Sequence, residues 1–180
     1  MKKVSFVFLS LAVYSLLGCA TQNNNASINT DDFGIHFIEK DAGFSMYAPK
    51  NWGTVDANQK YKMLMGAAEN NFSPNINFGD EQFSGKISDY LEACLELFPQ
   101  IFADFEVLER FDFQTNSGLQ GECVTTQARL NDIHVRQRIY IIPNKKNTAI
   151  MDITCTVSPS MGTKYDDVFD NCVKTFEWTK

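Results

Sequence analysis

The sequence predicts an α+β sandwich in which helices cover an antiparallel sheet, and two observations carry that prediction. Segments with strand character follow one another, separated by short polar turns. Only two stretches change to helical spacing, and each has one apolar face. A parallel α/β fold needs strands and helices to alternate throughout, so it does not suit this chain.

The elements follow in order. Ile35 to Ile38 is a short β-like run, and Lys40-Asp41-Ala42-Gly43 is a turn signal. Phe44-Ser45-Met46-Tyr47-Ala48-Pro49 alternates and stops at a proline, which completes a predicted hairpin. Tyr61 to Ala67 and Asn75 to Phe78 read as strands flanking an Asn/Ser/Pro turn at 70–74. Then Ile87, Tyr90, Leu91, Cys94, Leu95 and Phe98 recur at helical spacing. Ser88 suits the N-cap, Asp89 suits the positive end of the helix dipole, and Pro99 should break or kink the helix. Four longer β runs follow, Phe105 to Phe113, Leu119 to Leu130, Ile133 to Ile142 and Thr148 to Val157, as an antiparallel meander. Thr163 and Asp166 form a capping-type start before Tyr165, Val168, Phe169, Cys172, Val173 and Phe176, a second amphipathic helix.

Composition sets the class. The chain has 180 residues and is 44% hydrophobic, which excludes wholesale disorder and suggests one domain. Its formal charge of −6 provides no basic face for nucleic acid. No long apolar run follows the N-terminus, so a polytopic membrane protein is excluded. Lys2 and Lys3 precede the mostly apolar segment Val4 to Leu17. Its fourteen residues would span roughly 21 Å as a helix, short of a ~30 Å hydrocarbon core. That is the length of an export signal. Residues 33–180 carry the periodic patterns and form the expected single domain, while 21–32 is polar and reads as a flexible leash.

Leu16-Leu17-Gly18-Cys19 resembles the bacterial lipobox. The resemblance implies a diacylglyceryl thioether on Cys19, cleavage before it, and residues 1–18 as a lipoprotein signal peptide. Residues 19–32 are then the lipidated cysteine and tether. The mature chain would be anchored by acyl chains without spanning the membrane. Loss of Lys2 and Lys3 leaves 14 basic against 22 acidic side chains, a net charge of −8. Ala20 after the cysteine implies export to the outer membrane where a cell has one.

The element order also resembles the PsbP-like family, the fold of the extrinsic photosystem II subunit and of a Ran-binding nuclear import factor. The carrying residues are Phe44-x-Met46-x-x-Pro49-x-x-Trp52, Ser88-Asp89-Tyr90-Leu91, Gly118-x-x-Gly121 and Phe169 with Phe176-x-Trp178. The resemblance implies an α/β/α sandwich with a central antiparallel β-sheet covered by helices. It implies no enzyme activity. Family members act as scaffolds, assembly factors, partner binders and, in some envelope lipoproteins, ligand carriers. No photosystem or Ran-contacting motif is matched, and the family's metal-binding residues have no counterpart here.

Cys94, Cys123, Cys155 and Cys172 remain beyond Cys19. Export to an oxidising compartment would allow two disulfides with three possible connectivities. Cys155 and Cys172 flank a strand-to-helix return and can meet, which leaves Cys94 with Cys123. Four small buried hydrophobes are the alternative. Zinc spacing is absent. His36 and His134 lie in predicted strands without an orienting partner, and the pairs Asp80-Glu81 and Asp166-Asp167 read as solvated acids. Arg129, Arg136, Arg138, Lys145 and Lys146 form the one basic cluster, read as a solvated sheet face or a contact for an acidic partner. Phe98, Phe102 and Phe105 follow a helix face as core. No catalytic, metal or cofactor site is expected. The expected role is a non-catalytic, membrane-tethered envelope module that binds or helps to assemble another protein. The alternative is a carrier for an apolar or lipid ligand held between sheet and helix.

Overall fold

Phe44, Met46 and Ala48 alternate with Ser45 and Tyr47, and that period of two builds the first hairpin. The computed structural model describes residues 33–180. Strand β1 (Phe33–Glu39) pairs antiparallel with β2 (Phe44–Pro49) across a turn in which the Gly43 N–H donates to the Glu39 carbonyl at 2.8 Å. β3 (Gly53–Val55), β4 (Met63–Met65) and β5 (Asn75–Gln82) follow, then α1 (Ile87–Ile101). The meander is β6 (Ala103–Gln114), β7 (Gln120–Leu130), β8 (Ile133–Pro143) and β9 (Ala149–Val157). A short 3₁₀ turn at Pro159–Met161 leads to α2 (Asp166–Lys174) and β10 (Glu177–Trp178).

Two sheets result, one of three strands in the order β1-β2-β10 and one of seven in the order β3-β4-β5-β9-β8-β7-β6. Every pairing in both is antiparallel. Helix α1 carries the chain from inner strand β5 to β6 at the far edge, and the meander returns β9 beside β5. The seven-stranded sheet is therefore covered on both faces. One face packs on α1, where Tyr90, Leu91, Cys94 and Phe98 meet Val124, Ile139, Ile141 and Ile150. The other packs on the small sheet and α2, where Phe44, Phe169, Val173 and Phe176 meet Ile76, Phe78, Tyr140 and Met151. Each large apolar side chain buried there contributes about 1.5–3 kcal/mol. This is the α+β sandwich that the alternation predicts.

Several local signals act differently from their expected roles. The α1 N-cap is Lys86 without a side-chain cap, and Ser88 lies inside the first turn, its hydroxyl 3.5 Å from Asp89 Oδ1. Pro99 sits within α1 without ending it, because a helix this close to its C-terminus loses only one N–H donor and closes at Phe102. Thr163 gives no side-chain cap to α2; its carbonyl accepts the Asp166 N–H at 3.0 Å. The strand expected over Tyr61 to Ala67 contracts to β4. Strands β3 and β10 have too few residues to show a period, and long-range pairing creates them.

The short motifs have clear local uses. Trp52 N–H donates to Pro49 O at 3.1 Å, so the turn after β2 swings the indole into the core, edge-on to Phe169. Gly66 lies under that indole, where a Cβ would come within 2.7 Å of Trp52 Cε2. Gly118 has φ of 84° in the turn before β7, a conformation that favours glycine. Among the described residues no helix is long and apolar enough to cross a membrane.

Candidate functional site

Two polar centres lie on opposite faces of the seven-stranded sheet. The first is on the α2 face. Alternation along β8 places Arg136, Arg138 and Tyr140 on one side, and α2 presents Asp166 and Asp170 one turn apart above them. Arg136 forks onto Asp166, with Nη1 to Oδ1 at 2.5 Å and Nη2 to Oδ2 at 2.8 Å. Arg138 is only 4% exposed and donates to Asp166 at 3.1 Å and to Asp170 at 2.9 and 3.1 Å. The Tyr140 hydroxyl accepts from Arg138 Nε at 3.1 Å and donates to Asp170 at 2.5 Å. The Arg138 guanidinium also stacks 5.0 Å from the Phe111 ring centre. Each charge is met by a fixed partner, so this centre clamps α2 to the sheet. It replaces the solvated face expected for Arg136 and Arg138, and Asp166 is their counter-ion. Asp167, Lys145 and Lys146 are exposed, and Arg129 pairs with Asp104 at 2.7 Å.

The second centre is on the α1 face. Strand β5 presents Asn75, Asn77, Gly79 and Glu81 on that face, and β9 presents Asp152, Thr154 and Thr156 opposite. Asp152 is 5% exposed and stands directly across from Gly79. Asp152 Oδ1 accepts from the Thr154 hydroxyl at 2.8 Å, and Oδ2 is buried with no partner in the protein. Asn77 Nδ2 donates to Asn75 Oδ1 at 2.8 Å, and Asn77 Oδ1 is likewise unpartnered. There is room for a methyl group above Gly79: a Cβ there would meet only Asp152 Cβ, at an ordinary contact distance of 3.9 Å. Burial pushes the Asp152 carboxyl up to about 7, partly opposed by its Thr154 bond, with the Glu81 charge adding to the rise. Burial also raises Glu81, with the Tyr90 hydroxyl bond opposing it and the neighbouring Asp80 adding to it. Asp80 points to the other face and accepts from Tyr61 at 2.8 Å and from Lys60. Adjacent acids thus diverge as strand geometry requires, yet Glu81 lies half-buried beside α1 instead of fully solvated.

Cys94, Cys123, Cys155 and Cys172 are buried, and no disulfide joins them in this structure. Cys94 packs on the α1 face and Cys123 on the α2 face, so the sheet separates them. Cys155 and Cys172 share the α2 side and remain unbonded. Burial raises all four, Cys94 and Cys172 to about 12, which favours the protonated thiol at neutral pH. Cys19 lies outside the described residues.

His36 stacks on Tyr47 with ring centres 4.4 Å apart, and His134 is exposed on β8; neither joins either centre. Phe98 packs against Phe102 and Phe105, with ring centres 5.7 and 5.6 Å apart, as core. Among the described residues no group of three or more His, Cys, Asp or Glu side chains could hold a metal ion. The sequence signal for the second centre was present: Asp152 interrupts the apolar run Met151 and Ile153 in what becomes a central strand, and the partnered acids of the first centre lie 28 to 32 residues from their arginines.

No family model matches the sequence, and comparison with curated proteins finds no match. Solved structures do match. The cyanobacterial PsbP of Synechocystis sp. aligns over 90% of this chain and 98% of its own, with a TM-score of 0.60 at 12% identity. LpqN of Mycobacterium tuberculosis, described as involved in cell envelope biogenesis, aligns over 76% of this chain and 83% of its own, with a TM-score of 0.57 at 14% identity. The Saccharomyces cerevisiae Ran-binding protein Mog1p aligns over 81% of this chain and 95% of its own, with a TM-score of 0.50 at 9% identity. At these identities the likeness establishes a shared PsbP/Mog1-like fold.

Proposed function

We propose that this chain is a lipid-anchored, non-catalytic module of the cell envelope that binds another envelope protein. The observation that carries the reading is the join between leader and domain. An export signal ending in Leu16-Leu17-Gly18-Cys19 is followed by a polar leash, and the first strand begins at Phe33. A thioether lipid on Cys19 would hold the folded part beside the membrane on a leash of at most about 45 Å. The likeness in fold to an envelope-biogenesis protein supports an envelope setting.

The surface we assign to the partner is β6. It is one of the two outer strands of the large sheet, twelve residues long and exposed over most of its length. Val107 and Leu108 are 43% and 42% exposed, and Ile101 at the end of α1 is 56% exposed. An outer strand offers free backbone donors and acceptors to a partner strand. Irregularities between Ala103 and Glu106 and between Val107 and Glu109, with acids at 104, 106, 109 and 112, guard it against indiscriminate pairing. The aromatic core on the α2 face is filled by its own rings, such as Phe44 against Phe78 and Phe176 at 5.3 and 5.8 Å. No observation therefore favours the apolar-carrier reading over this one.

The test is photo-cross-linking in intact cells from a probe at Leu108, with a second probe at Lys145 on the β8–β9 turn. A discrete protein adduct from Leu108 that Lys145 does not give is expected. Equal adducts from both positions, or none from Leu108, would reject β6 as the partner surface.

A further inference from the structure

We propose that the space above Gly79, between α1 and strands β5 and β9, binds the ammonium group of a small organic amine. This site is separate from β6 and does not depend on the membrane tether. The argument begins with register. Gly79 faces Asp152 directly, and Asn77 and Glu81 are its neighbours two residues to either side on the same face. Diagonal neighbours across an antiparallel pair lie about 7–8 Å apart, within reach of side chains of this length. Three oxygen-bearing side chains therefore surround one position that has no side chain of its own.

The chemistry of those oxygens selects the ligand. Asp152 Oδ2 and Asn77 Oδ1 are buried acceptors with no donor in the protein, and Glu81 adds a second carboxyl. What is missing is a donor with positive charge. An ammonium group has three N–H donors and no acceptor, which complements three surrounding oxygens. Buried polar groups left unpaired are costly, so a ligand that satisfies two at once gains accordingly. A metal ion is a poorer occupant, since no metal-type cluster is present among the described residues. Tyr90 borders the site from α1, and Gly79, Asn77 and Asn75 are partly open to solvent along β5, which gives the amine an approach.

The test is calorimetric titration of the full mature chain at about pH 8, above the value at which Asp152 ionises, in mild detergent, with putrescine, and with succinate as a dianion of similar length. Putrescine is expected to bind and succinate to give no heat. Gly79→Ala places a methyl in the space without a close clash, because the nearest atom to its Cβ position outside its chain neighbours is Asp152 Cβ, at 3.9 Å. Asp152→Asn keeps the shape and removes the charge. Each variant, confirmed as folded by circular dichroism, is expected to weaken putrescine at least about tenfold. No putrescine binding to the wild type overturns the proposal. Equal binding in wild type and both variants also overturns it, because the amine would then be held elsewhere on the acidic surface.

Discussion

Asp152 is a carboxylic acid buried in β9, the middle strand of the seven-stranded sheet, and its position makes a pH prediction. In the unfolded chain such a group titrates near 3.8, while burial raises it to about 7 in the folded protein. Between those values the folded state holds a proton that the unfolded state has released. Stability is therefore highest at and below the unfolded value, falls as pH rises through this window, and levels off above it. The change is at most about 4 kcal/mol, and Glu81, raised for the same reason, acts in the same direction. Urea unfolding across the window should show the decline, and Asp152→Asn should flatten most of it; an unchanged slope in the variant would remove Asp152 as its cause. The same residue shows what the sequence made legible. Alternation of Asn75, Asn77 and Glu81 against Ile76 and Phe78 was readable as a two-faced strand. The pairing of Gly79 with Asp152, which creates the site, joins residues 73 positions apart and no local pattern encodes it.

The elements were more legible than the contacts that fasten them. The hairpin, both helices and the meander follow from period and turn chemistry, because hydrophobic spacing is a local record of which side is buried. The face to which Arg136 and Arg138 point was not recorded in that way. Their spacing puts them on one side of β8, but only the arrival of α2 turns that side inward. The clamp can be tested as an element. Asp170→Ala leaves the Arg138 guanidinium buried with part of its ionic partnership lost, and should cost about 3–5 kcal/mol with early hydrogen exchange confined to α2. Arg138→Met together with Asp170→Leu replaces the pair by packing and should cost much less. A cost for the double variant as large as for Asp170→Ala would show that the charges contribute more than mutual neutralisation. Pro99 gives a second test: it is exposed, interrupts one bond of α1, and Pro99→Ala should raise stability by about 1 kcal/mol or more, measured as a higher urea midpoint.

For the whole molecule, the organisation along the chain and the architecture of the domain point the same way. In the proposed reading, a leader and a polar leash ahead of the folded residues from Phe33 onward would place a folded body at a membrane without inserting it. If the chain is processed as proposed, its charge of −8 would repel anionic headgroups, and the domain would stand off from the surface with β6 free to meet a partner. The cysteines also belong at this scale: Cys94 lies on the opposite face of the sheet from Cys123, so these two cannot form a pair that completes a two-disulfide framework. The anchor is the claim on which the rest of the functional account stands. Its most direct measurement is fractionation of cells that express the wild type or Cys19→Ser, followed by intact mass of the purified chain. The account predicts a membrane-bound wild type, processed before Cys19 and heavier by acyl chains, and a Cys19→Ser protein released to the soluble fraction. A Cys19→Ser protein that stays with the membrane, or a wild type without the added mass, would contradict it.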